Sequence, residues 1–367
     1  MSANNLKEAE RVLTICNACR YCEGFCAVFP AMELRRTFTV GDLKYLSNLC
    51  HNCRDCYYAC QYAPPHEFSL NFPKAMAELR LDTYSEFAWP GFLAGLFRRN
   101  GLAVLLISLI CIISFALISL SSQGITALFG LHQGPNSFYK VISYLTMILP
   151  FSVLAIFIVV SLCKGIQHFW QETGSSTKPL TDKKANLQAI WDVLRLKYLD
   201  GGGYGCNYPD DKFSMIRRYL HHSVFYGFLL CLASTTIAAL YDHLLHLPAP
   251  YPFLSWPVVL GTLGGLALLV GTGGLLILKF RMDRTPATTK SFGLDIGFTS
   301  LLFLISLSGL LLLLFRETAG MGSLLIIHLG LVLALFITTP YGKFVHAVYR
   351  YAALVRYAHE QAEAEQQ

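Results

Sequence analysis

Charge is scarce in this chain. Of its 367 residues only 14% are Asp, Glu, Lys or Arg, while 54% are hydrophobic, a balance that reflects long apolar runs rather than one large soluble core. The amino terminus lacks a basic start leading into an apolar stretch, so no cleavable secretory signal is expected and the first domain should stay on the side of synthesis. A nucleotide fingerprint is also missing. Neither Gly201-Gly202-Gly203-Tyr204-Gly205 nor the set Gly261, Gly264, Gly265, Gly271, Gly273 and Gly274 makes a GxGxxG that follows a strand and opens a helix. With no flavin or nicotinamide site legible, a two-electron substrate is expected to be handled by another polypeptide. The formal charge of +6 reads as a topology signal, with no nucleic-acid footprint in it.

Cysteine, by contrast, is patterned. Cys16-x2-Cys19-x2-Cys22-x3-Cys26 and Cys50-x2-Cys53-x2-Cys56-x3-Cys60 repeat one spacing, that of two-cluster ferredoxins. Three soft thiolates at intervals of three on a tight turn supply most of a cubane's ligands, and the fourth crosses from the other run. The expected sets are Cys16, Cys19, Cys22 and Cys60 for one [4Fe-4S] cluster, and Cys50, Cys53, Cys56 and Cys26 for the other. The usual run ends Cys-Pro, whereas Ala27 and Gln61 follow here. Paired four-cysteine zinc sites usually show two separated CxxC pairs, and disulfides are disfavoured in a reducing cytoplasm.

Residues 1–98 read as a polar domain and 99–350 as a membrane domain, with a tail at 351–367. Six runs near 101–121, 139–163, 219–241, 256–279, 292–315 and 322–346 are each near the roughly 20 residues a span needs. Arg98, Arg99, Lys164, Arg217, Arg218, Lys279, Arg281, Arg284, Lys290, Lys343, Arg350 and Arg356 fall on one side of these runs, and the opposite loops hold Arg316 as their only Lys or Arg. By the positive-inside rule both termini and the cysteine domain are cytoplasmic. The fold class expected is mainly α, a small ferredoxin-like iron–sulfur domain followed by a six-helix transmembrane bundle. A cytoplasmic loop at 165–218, long enough to suggest a functional element, holds a plausible amphipathic helix at 185–198.

Histidines at membrane depth are expensive and hence functional candidates. His328 and His346 lie 18 residues apart in span six, which on one continuous helix puts them on the same face about 27 Å apart. His221 and His222 open span three, and His243 and His246 close it. Two helices with histidine at both levels could clamp one or two b-type haems. The preferred pairs are His222 with His346 and His243 with His328, with His221, His246 and His168 as alternates. Cys111, Cys163 and Cys231 read as packing, Cys206 as a residue of a polar loop, and Tyr139, Tyr251, Phe253, Trp256 and Tyr341 as an interface belt. The acidic end with Glu360, Glu363 and Glu365 reads as a frayed, solvated tail.

The doubled cysteine run, the histidine-bearing spans, and the segments Leu199-Asp200-Gly201-Gly202-Gly203 and Arg217-Arg218-Tyr219-Leu220-His221-His222-Ser223-Val224-Phe225-Tyr226-Gly227-Phe228 together resemble the tricarballylate-utilisation protein B family, also called the CitB family, over nearly the whole chain. The membrane part is also similar to the gamma subunit of respiratory nitrate reductase, a bis-histidine dihaem protein. The resemblance implies a multi-pass protein of the bacterial inner membrane, in contact with membrane lipid. It implies transfer of electrons from a cytoplasmic FAD-dependent dehydrogenase of the tricarballylate dehydrogenase type, through two [4Fe-4S] clusters and haem, to quinone. Two other readings stand beside it: a metal-binding membrane transporter or sensor, and a redox component of a cobalamin-biosynthesis oxygenase, which would need an open axial position on its haem.

Overall fold

A computed structural model describes residues 2–97, 99–174 and 178–366, the side chain at 97 excepted. Arg98, one of the basic residues ahead of the first span, lies outside the described residues, as do positions 1, 175–177 and 367 of the expected domains and loop.

Five helices build the amino-terminal domain: α1 (Ala3–Cys19), α2 (Val28–Glu33), α3 (Val40–Leu49), α4 (Asp55–Tyr58) and α5 (Phe72–Phe87). Thr39 starts α3 with a capping box, its side chain accepting from the Asp42 amide while the Asp42 carboxylate accepts from the Thr39 amide. Pro73 stands in the first turn of α5, where a missing N–H costs nothing. Apolar faces of α1, α3 and α5 then close over Leu13, Leu46, Met76 and Leu79.

Next come α6 (Asn100–Gln123), α7 (Thr126–Phe129) and α8 (Tyr144–Glu172), then α9 (Lys178–Thr181) and α10 (Lys183–Leu194). A two-residue hairpin follows, β1 (Cys206–Asn207) antiparallel to β2 (Phe213–Ser214) with Cys206 opposite Ser214. The chain ends with α11 (Ile216–His243), α12 (Trp256–Arg281), α13 (Phe292–Phe315), α14 (Met321–Thr338) and α15 (Val345–Ala364). Among the described residues, six stretches are long and apolar enough to cross a membrane. The second starts at Tyr144 rather than 139, because Ser143 accepts from the Thr146 amide and caps the helix there. Glycine explains the tight pairing of α11 with α12: a Cβ on Gly227 would stand 2.9 Å from the Gly264 carbonyl oxygen, so a larger residue would push the helices apart.

Span six departs from expectation. Thr339–Tyr341 forms a 3₁₀ turn between α14 and α15, and Pro340 removes a donor that a continuous helix would need. His328 and His346 therefore sit on different helices, and the five-turn spacing does not hold. Beyond the break α15 docks on the cysteine domain with Tyr349, Ala353, Leu354 and Val355 buried. Glu360 is no frayed residue: it pairs with both Arg35 and Arg356. Tyr341 belongs to the core rather than to an interface belt, 2% exposed and donating to the Trp89 carbonyl.

The cysteine domain is thus embraced from one end of the bundle. Lys44 is buried and bridges Glu86 of α5 to Glu172 of α8, at 2.7 and 2.6 Å. The α12–α13 connection contributes Lys290 to Glu78 and Asp283 to Tyr58. Among the described residues, basic side chains of α3 and of the α12–α13 connection gather at this end.

Candidate metal centres

Local backbone geometry places the cysteines. Cys16 and Cys19 occupy the last turn of α1, not an irregular loop, and Arg20, at φ 56°, turns the chain out of the helix toward Cys22. In the second run Cys50 caps α3 and Cys56 lies in α4. Between them Asn52 and Arg54 hold φ of 55° and 77°, a left-handed pair costing roughly 1–3 kcal/mol each that wraps the loop around Cys53.

Two groups of thiols result. Cys16, Cys19, Cys22 and Cys60 line one cavity of about 220 Å³, together with Cys56. Burial pushes the Cys16 thiol up, and Cys22, Cys60 and Cys19 push it further; Cys22 is raised to about 12 by burial, Cys60 and Cys19. Cys50, Cys53 and Cys56 are buried. The Cys26 thiol is raised by burial and by Cys50, Cys53 by burial and by Cys26, and Cys56 by burial and by Cys53, Cys50, Cys26 and Cys22. Cys60 thus lies with the first run and Cys26 near the second, with Cys22 and Cys56 close to each other where the two groups meet. The neutral thiols are therefore favoured when nothing is bound, and as thiolates they would hold together only around compensating positive charge. A zinc ion would draw its sulfurs to about 2.3 Å; among the described residues no three or more His, Cys, Asp or Glu converge on a single-ion site. The first cavity exceeds the ~30 Å³ share of one water several times over, room of the kind a multi-iron group takes.

The 165–218 loop closes over the second group. Asp55 accepts from the Asn207 amide at 2.7 Å, and burial raises its carboxyl. Gly201, at φ +54°, must lack a side chain, since a Cβ there would come within 2.4 Å of Asp55 Oδ2. Tyr208 lies between two guanidiniums, Arg54 at 4.6 Å and Arg217 at 4.9 Å from its ring centre. Cys206 is not in solvent: it is buried beside Cys53, its thiol donating to the Leu199 carbonyl and pushed up to about 11, chiefly by burial.

The histidines come out rearranged. His221, not His222, faces His346, with ring centres 6.1 Å apart and planes inclined by 58°; His222 turns to Tyr226. Adjacent residues on a helix point about 100° apart, so only one of the two can face the bundle interior. His346 Nδ1 donates to the Lys343 carbonyl, which leaves Nε2 free, the tautomer that outer partners impose on metal-binding imidazole. Two imidazoles bound at about 2 Å to one metal have ring centres roughly 6 Å apart, so this pair fits an axial pair. His328 shares a hydrogen bond with Ser308 Oγ at 3.0 Å, and His243 is exposed and shares one with Tyr144 Oη at 3.0 Å. Those two do not turn to each other.

Several residues escaped the sequence reading. Arg80 and Arg350 both donate to the Cys50 carbonyl, and Arg217 donates to the carbonyls of Asn52 and His51. A signal was present: Arg217 precedes His221 by four residues and Arg350 follows His346 by four, one helical turn in each case.

These features define a class, a multi-pass helical membrane protein with a ferredoxin-like iron–sulfur domain built onto one end. Residues 95–367 match the family model described as Citrate utilization protein B, and residues 9–86 match its Fer4-like domain. The chain is 46% identical to Citrate utilization protein B of Escherichia coli over 363 residues, 98% of this chain and 93% of that relative. It belongs to the citrate utilization protein B family. No solved structure matches it significantly.

Proposed function

We propose that this protein is a membrane-anchored electron carrier linking a cytoplasmic FAD-dependent dehydrogenase to the quinone pool. The observation that carries the reading is that Cys60 lines one cavity with Cys16, Cys19 and Cys22 of the other run, which supports an exchange of fourth cysteines between the two runs. Two [4Fe-4S] clusters and b-type haem, when bound, would supply one-electron carriers that divide the electron pair of a reduced flavin. Cys16, Cys19, Cys22 and Cys60 would hold one cluster, and Cys50, Cys53, Cys56 and Cys26 the other. His221 and His346 are the haem ligands favoured by the geometry, with His328 held by Ser308 as a candidate for a second haem.

The chain's own residues insulate and orient these centres. The first cavity opens beside Arg20 and Tyr21, and Tyr21 is 71% exposed, so this side suits a docking flavoprotein. The second cysteine group is walled off by Leu199, Tyr208 and Met282, which keeps water from it and faces it toward the membrane domain. The name of the Escherichia coli relative points to citrate use, and the family resemblance to tricarballylate; oxidation of a tricarboxylate by the partner dehydrogenase is the activity we assign to the pair. In this arrangement both termini and the cysteine domain are cytoplasmic, in the inner membrane.

A dithionite-reduced minus oxidised spectrum of the anaerobically purified protein tests the reading. Low-spin b-type bands over a broad iron–sulfur bleach are expected. A folded but colourless protein after full cofactor supply overturns it in favour of a zinc-binding transporter or sensor.

A further inference from the structure

At the end of the bundle that meets the cysteine domain, several guanidiniums stand on backbone carbonyls rather than in ion pairs with carboxylates. Arg80, Arg217 and Arg350 converge on the backbone of residues 47–52. Asp295 is already engaged by Lys279 at 2.6 Å and Lys343 at 2.8 Å. Burial acts most strongly on Arg350, followed by the neighbours Arg80, Tyr84, Cys50 and Arg217, none of them a carboxylate. Arg350 Nε and His221 Nδ1 are both buried and have no hydrogen-bond partner. A buried guanidinium N–H without an acceptor is costly, and a carboxylate is an acceptor that would satisfy it.

The helices supply the register. On α11 Arg217 lies one turn before His221, and on α15 Arg350 lies one turn after His346, so each arginine stands on its histidine's face, on the side nearer the cysteine domain. We propose that His221, His346, Arg217 and Arg350 form one site for a carboxylate-bearing metalloporphyrin, in which the imidazoles take the metal and the guanidiniums take the carboxylates. This rests on the haem reading above and adds what orients the group. Arginine suits the role because its planar fork matches a carboxylate. The same two side chains donate to the carbonyls of Cys50, His51 and Asn52, so they would tie the porphyrin edge directly to the loop carrying Cys50 and Cys53.

The test titrates haem-depleted full-length protein in detergent with iron protoporphyrin IX and, separately, with its dimethyl ester, which keeps the metal but lacks free carboxylates. The wild type should prefer the free acid about tenfold or more, the worth of a charge-assisted hydrogen bond. Arg350→Gln and Arg217→Gln should shrink that ratio toward one. His221→Ala should lose the two-imidazole spectrum and His222→Ala keep it. Equal affinity of the wild type for both porphyrins overturns the site even if no variant folds. So does an unchanged ratio in both Gln variants, or a change confined to the iron–sulfur signal. A wild type that takes up neither porphyrin overturns the haem reading itself, a different result from equal uptake of both.

Discussion

Cys60 and Cys26 are where a single atom tests the cysteine arrangement. Replacing Cys60 by Ser should remove the electron paramagnetic resonance signal of one reduced cluster and spare the other, and Cys26→Ser should do the converse; loss of both signals together in each variant would contradict two separate sets. Gly205 is a second such point. Its φ is +100° and an added Cβ would stand 2.5 Å from the Ser214 carbonyl carbon, so Gly205→Ala should destabilise the hairpin by roughly 1–3 kcal/mol. Thermal unfolding followed at the iron–sulfur absorbance measures this, and an unchanged midpoint would refute it. The proposed cysteine sets were legible in the sequence because they follow from spacing along the chain. His221 was not, because two neighbouring histidines differ only in which face of α11 they occupy.

At the scale of elements, α15 joins the halves of the protein. Asp42 of α3 accepts from Arg35 at 2.6 Å and from Arg356 at 3.4 Å. Burial opposes ionisation of Asp42, and the hydrogen bonds from Arg35 and Thr39 outweigh it, so its carboxyl titrates lower than normal. A depressed carboxyl contributes stability above its unfolded value, and that contribution is lost as pH falls through the folded value. The Arg35–Asp42–Thr39 contact at the start of α3, which Arg356 of α15 also reaches at 3.4 Å, should therefore be intact at neutral pH and weaken below about pH 4. Hydrogen exchange of residues 349–356 would show it, and Asp42→Asn should loosen the same segment at pH 7 by on the order of 2 kcal/mol. No change in exchange for that variant would place the strength of the joint in the apolar contacts of Tyr349 and Leu354 instead. The helix break at Pro340 was legible as a residue but not as a break, since apolar periodicity runs straight across it.

For the whole molecule the prediction concerns orientation. Lys140 and Arg316 are the two Lys or Arg residues in the loops away from the cysteine domain, against many on the near side, so a fluorescent protein that folds only in the cytoplasm should report when fused after residue 366 and stay dark when fused within 247–254. The opposite pattern would invert the topology and put the cysteine domain outside. The gathering of Glu172, Asp283, Lys290 and Arg356 onto that domain also means that the domain and bundle should unfold together rather than as two transitions.

The sequence by itself determined the number of spans, the doubled cysteine spacing and the bias of charge between connections, because each follows from local composition or from spacing along the chain. Tertiary structure alone decided that His221 meets His346, that Cys206 is buried, that Glu360 is paired, and that Arg217 and Arg350 flank the imidazole pair. Those outcomes depend on which face of a helix meets its neighbour and on where Pro340 redirects the chain. Contacts between residues hundreds of positions apart leave no periodic trace in either segment alone.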